Sequence, residues 1–103
     1  MKLLTNDVYK KVEKLLYNYK NTTDEIIKKS LIELSEFFNG TDHMYFIEHY
    51  YYYRDDYKNR CPKNSTLFDY ICKKLYIEKP TLYIIKKEVI YKAAMIFYEN
   101  GVI

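Results

Sequence analysis

The stretch Ile71-Cys72-Lys73-Lys74-Leu75-Tyr76-Ile77-Glu78-Lys79-Pro80-Thr81-Leu82-Tyr83 decides the fold. Ile71 and Leu75 stand one turn apart, the spacing of a single helix face. Cys72 beside them is small, so a second helix can cross closely there. Residues 76–79 read as a turn, with Ile77 as its apolar plug. Pro80 suits the first turn of the next helix, where its missing N–H would have no partner anyway. Leu82 and Ile85 then give that helix its inner face. Two helices about four residues apart are the skeleton of a helix-turn-helix, which places the motif over residues 65–101.

Outward from the joint, other segments also read as helices. Thr66 and Asp69 form a capping-box pattern that opens a helix reaching about Leu75, and Asn100-Gly101 stops the last helix after Glu99. Upstream, Arg60-Cys61-Pro62-Lys63-Asn64-Ser65 is the clearest break in the chain. Leu3, Leu4, Val8, Val12, Leu15, Leu16 and Tyr19 recur at helical spacing, predicting an amphipathic helix over residues 3–20. Asn21-Thr22-Thr23 interrupts it, and Thr22 with Glu25 forms a second capping box. A helix over 23–38 follows, with Ile26, Ile27, Leu31, Leu34, Phe37 and Phe38 as its apolar face, ended at Asn39-Gly40. Thr41 or Asp42 caps a third helix over 42–58, with Met44, Ile47, Tyr50 and Tyr51 inward. The run Tyr50-Tyr51-Tyr52-Tyr53 cannot all face inward, since consecutive helical residues point about 100° apart. It is expected to be half core and half surface or dimer contact. A strand over 44–53 has no hairpin partner.

With 103 residues the chain has room for one domain, and two Gly with two Pro are too few for the turns of a sandwich or barrel. The expected fold is all-α, about five helices in a single domain over 1–103. Residues 1–58 give support or dimerisation, and 65–101 form the helix-turn-helix.

Charge is unevenly placed. Residues 58–103 hold nine Lys/Arg against four Asp/Glu, and residues 1–57 hold eight against ten. The basic half is the one expected to face a polyanion. Cys61 and Cys72 fit no zinc spacing, and His43 and His49 point to different helix faces, so no metal is expected. Neither histidine has a nucleophile or paired carboxylate beside it, and no glycine-rich phosphate loop exists, so the chain reads as a non-enzyme without cofactor. No membrane-length apolar run or leader is visible. The expected location is the cytoplasm, with reduced thiols.

Residues 66–98, including Ile85-Lys86-Lys87-Glu88-Val89-Ile90-Tyr91-Lys92-Ala93, resemble the fourth region of bacterial sigma factors. Taken whole, the chain is similar to phage and prophage transcription regulators of the RinA and ArpU type. Leu16-Tyr17-Asn18-Tyr19, Ile47-Glu48-His49-Tyr50-Tyr51 and the terminal Tyr98-Glu99-Asn100-Gly101-Val102-Ile103 carry that similarity. The resemblance implies a regulator that binds double-stranded promoter DNA together with host RNA polymerase. Lys79 and Tyr83 would then meet base edges or nearby phosphates, with Thr81 beside them. Lys73, Lys74, Lys86 and Lys87 would contact phosphates. Glu78, Ile84 and the tyrosine run, with Tyr76 in the turn, motivate a second expectation: a helical module that binds a host protein.

Overall fold

A computed structural model describes residues 5–103, and among these every regular element is helical. There are six α-helices: α1 (Asn6–Tyr17), α2 (Glu25–Phe37), α3 (Asp42–Phe46), α4 (Arg54–Lys58), α5 (Leu67–Leu75) and α6 (Lys79–Glu99). A 3₁₀ turn (Tyr19–Asn21) follows α1, and a π-helical segment (Ile47–Tyr52) follows α3 directly. Leu3 and Leu4, assigned from the sequence to the first helix, lie outside the described residues. No helix among the described residues is long and apolar enough to cross a membrane.

The architecture centres on α6, which packs against α1, α2, α3 and α5. Leu82, Ile85, Val89, Ile90, Ala93, Ala94, Ile96 and Phe97 are all buried. At 100° per residue these positions cover about half of the helix circumference. Ala93 and Ala94 keep that wide face thin enough for neighbouring helices to approach. The buried side chains of all these elements form one cluster, with Val12 and Leu16 from α1, Leu31 and Leu34 from α2, and Ile71 from α5.

Four of the six α-helices start on a side-chain cap, with two departures from expectation, the first being that Thr5, inside the helix expected over 3–20, is the cap of α1. Thr5, Thr41 and Thr66 accept hydrogen bonds from the backbone N–H groups of Val8, Met44 and Asp69. The expected Thr22–Glu25 box is not what opens α2. Asp24 does so, its carboxylate accepting from the N–H groups of Ile26 and Ile27 at 2.9 and 3.0 Å. Thr22 instead donates back to the Asn18 carbonyl. A carboxylate at the positive end of the helix adds charge–dipole attraction that a threonine lacks.

The inner face of α2 is also rotated from the expected one. Ile27, Ser30, Leu31, Leu34 and Phe38 point inward, whereas Ile26 and Phe37 face solvent. Buried Ser30 fits because its hydroxyl donates to the Ile26 carbonyl and accepts from the Asn100 side chain, each at 2.8 Å.

The helix expected over 42–58 is broken in two by the π segment. There the Tyr53 N–H bonds to the Glu48 carbonyl, five residues back, at 2.8 Å. The wider turn rotates each residue less than 100° and brings Tyr52 onto the inner face beside Ile47 and Tyr51. Tyr51 and Tyr52 are thus buried, and Tyr50 and Tyr53 are half-buried. Tyr52 stacks on Tyr19 with ring centroids 3.9 Å apart, and Phe46 stacks on Tyr50 at 4.9 Å. His49 is sandwiched between Tyr45 and Tyr57, at 3.8 and 3.7 Å, and burial lowers its pKa. The tyrosine run is therefore mostly interior structure, and its two central rings are unavailable to a partner.

Burial raises the phenol pKa of Tyr51 and Tyr52 above the ordinary 10.0. The stability this contributes is full below the unfolded value and is lost as pH rises above it toward the folded values. In an alkaline titration these phenols should therefore ionise together with the loss of helical circular dichroism, not before it. In urea denaturation, Asp24→Ala should lower stability by about 1 kcal/mol, more than Thr22→Ala does.

Candidate nucleic-acid interface

The joint is built from the bottom up by its buried side. Ile71, Cys72, Leu82 and Ile85 are buried, and Leu75 and Ile77 are half-buried. They fix α5 against the start of α6 through a connection of residues 76–78. The end of α5 carries two linked hydrogen bonds: the Tyr76 N–H reaches the Lys73 carbonyl at 3.3 Å, and the Ile77 N–H reaches the Cys72 carbonyl at 3.0 Å. This is the Schellman arrangement, which needs a left-handed residue between the two. Tyr76 supplies it, at φ 57° and ψ 40°. Helix α6 begins at Lys79 with Pro80 in its first turn, and Glu78 occupies the cap position without a side-chain cap bond.

Around this joint the backbone places most of the expected contact residues in solvent. Lys73 and Lys74 are exposed in the last turn of α5. Lys79, Thr81, Tyr83 and Lys87 are exposed on the first turns of α6. Lys79, Tyr83 and Lys87 recur every fourth residue, so they rise along one side of the helix over about 12 Å. Local partners orient some of them. The Lys79 ammonium lies 3.0 Å from the Asp69 carboxylate, holding the Asp69 carboxyl below its ordinary pKa and raising that of Lys79. Tyr83 leans on Phe68 at 4.6 Å between ring centroids, and the Lys74 ammonium sits over the Tyr70 ring.

Lys86 is separated from this set. Its ammonium lies 3.6 Å from the Glu13 carboxylate of α1, and both side chains are largely buried. The same carboxylate oxygen accepts the Tyr51 hydroxyl at 2.8 Å. Burial alone would lower the Lys86 pKa, but Tyr50, Tyr9 and Glu13 outweigh it and raise it. Lys86 thus ties α6 to α1, where the sequence reading had it facing phosphate. An amphipathic periodicity cannot reveal this, because the pairing partner is 73 residues away in sequence.

Further along α6 the free face becomes apolar. Ile84 is 59% exposed, and with Tyr91 and Met95 it borders a groove of about 450 Å³ completed by Phe37 and Phe38 of the α2 end. Lys87, Glu88 and Lys92 stand on its rim. His43 faces Glu88 at 3.6 Å, and the Lys92 ammonium lies 4.1 Å from the centre of the Phe37 ring. Sequence reasoning missed this groove, since it placed Phe37 inside. Ile32 and Ile26, also exposed on α2, were the signal that the helix has more apolar residues than its inner face can take.

Among the described residues no group of three His, Cys, Asp or Glu side chains is placed to hold a metal ion. Cys61 and Cys72 are free thiols, and burial raises the pKa of Cys72. Comparison with protein-family models, curated proteins and solved structures finds no match to this chain.

Removing the Lys86 charge should act on folding. Lys86→Ala should lower stability by about 1–3 kcal/mol in urea or thermal denaturation, because Glu13 loses its cation in a largely buried site. Lys87→Ala, on the open face, should stay within about 0.5 kcal/mol of the parent.

Proposed function

We propose that the chain binds double-stranded DNA through the α5–α6 joint acting as a helix-turn-helix, and so regulates transcription. The observation that carries this is the set of exposed cations Lys73, Lys74, Lys79 and Lys87, with Thr81 and Tyr83, gathered around one short connection whose other side is locked into the core. In this reading the first turns of α6 enter the major groove. Lys79 leaves Asp69 for the duplex, and Tyr83 and Thr81 meet base edges or the adjoining backbone. Lys73, Lys74 and Lys87 neutralise phosphates and set the register. The resemblance to sigma region four and to RinA and ArpU regulators points the same way, toward a phage-type promoter regulator working beside host RNA polymerase. Glu78 opposes it locally, as a carboxylate near the phosphates.

A second reading rests on the groove. Its apolar floor, with Lys87, Glu88 and Lys92 on the rim, suits an amphipathic helix of a partner protein that carries both charge signs beside its apolar stripe. Ile84→Ala should weaken such docking, while leaving the salt slope of duplex binding unchanged, since it alters no charge.

Fluorescence anisotropy with short labelled duplexes tests the first reading. Affinity should fall linearly with salt on logarithmic axes, and Lys73→Ala, Lys74→Ala or Lys87→Ala should each reduce the slope by about 1. Lys86→Met should leave the slope as it is. Absence of binding to any duplex at low salt would rule the reading out.

A further inference from the structure

We propose that Tyr76 is itself a duplex contact, its ring lying against deoxyribose and its hydroxyl donating to a phosphate oxygen. The proposal rests on the DNA reading above and adds to it a residue of the turn.

Two helices in this chain end in the same way. At the end of α6 the Gly101 N–H bonds to the Tyr98 carbonyl at 3.1 Å, and the Val102 N–H bonds to the Phe97 carbonyl at 2.8 Å. At the end of α5, Tyr76 and Ile77 make the matching pair of bonds to Lys73 and Cys72. The left-handed position is Gly101 in the first case, at φ 75°, and Tyr76 in the second. Gly40, after α2, is also left-handed, at φ 77°. Tyr76 is the only residue among those described that has a side chain and a positive φ.

A Cβ in that conformation crowds the neighbouring carbonyl oxygen, a cost that glycine avoids. The tyrosine ring returns nothing to the fold. Tyr76 is 94% exposed, and among the described residues its ring has no aromatic or cationic neighbour. The backbone favours glycine here and the solvent favours a polar side chain, so neither accounts for a tyrosine. Strain of this kind points to a contact made outside the chain.

Position and chemistry indicate which contact. In sequence Tyr76 stands between Lys73 and Lys74 on one side and Glu78 and Lys79 on the other, all exposed, with Lys79 paired to Asp69. A ligand that draws those ammonium groups is anionic, and the exposed ring belongs to the same short connection. Tyrosine hydroxyls are among the side-chain donors that meet DNA phosphates, and the ring can cover the apolar edge of the sugar. The residues that adopt this backbone readily, Gly, Asn and Asp, offer no such ring. The flanking hydrogen bonds hold the turn, so binding orders little beyond the tyrosine side chain.

The test uses the full chain and short mixed-sequence duplexes. Tyr76→Gly should keep or raise the thermal midpoint while weakening duplex binding about tenfold, equivalent to about 1.4 kcal/mol. Tyr76→Phe should fall between the two. The chain has no Trp, so Tyr76→Trp places a single indole at the turn, and its emission should change on duplex binding. Parent-like duplex affinity of the Tyr76→Gly chain, or an indole emission unmoved by saturating duplex, overturns the proposal while the DNA reading stands. If the parent chain binds no duplex, the DNA reading fails and this contact fails with it.

Discussion

The structure depends on how α6 is held. About half of its circumference is buried, packed against α1, α2, α3 and α5. A helix so enclosed cannot turn or slide to suit a ligand. Whatever it presents must come from the remaining stripe, where Tyr83, Ile84, Lys87, Glu88, Tyr91 and Tyr98 are exposed. The Glu13–Lys86–Tyr51 cluster reinforces this, because it joins α1, α6 and the π segment through one carboxylate oxygen. A largely buried carboxylate needs both partners, so each of the three elements fixes the other two.

That stripe is chemically divided. Its first turns are basic and polar, and its middle turns are apolar and meet the end of α2. A duplex would engage the first part, and an amphipathic protein helix the second. Ile84 and Lys87 lie where the two meet, so occupancy of one part would crowd the other. The free face of α6 is too narrow to serve two large partners independently.

Much of the fold was legible because it rests on local rules. The spacing of Ile71, Leu75, Leu82 and Ile85, the caps at Thr41 and Thr66 and the glycine stops depend only on neighbours within a turn or two. Apart from the start of α2, the main errors originate in contacts distant in sequence. Asp24 displaced the Thr22 cap by charge, a local choice that pattern alone leaves open. Ser30 took an inner position that apolar periodicity gives to Ile26 or Phe37, because Asn100 is there to satisfy its hydroxyl. The candidate site was legible for Lys73, Lys74, Lys79, Thr81, Tyr83 and Lys87, which needed only to be outside. Lys86 shares their spacing, and only Glu13 distinguishes it. The groove could not be seen before the rotation of α2 was known.

The π segment gives the chain an evolutionary signature as well as a shape. A π turn is what remains when an α-helix absorbs one extra residue without unfolding. The two flanks then keep different phases: Phe46 and Ile47 face the core in one phase, and Tyr51 and Tyr52 in the next. Deleting one position between Ile47 and Tyr51 would restore regular winding and leave Phe46, Ile47, Tyr51 and Tyr52 on one face, because residues four apart share a side of an α-helix.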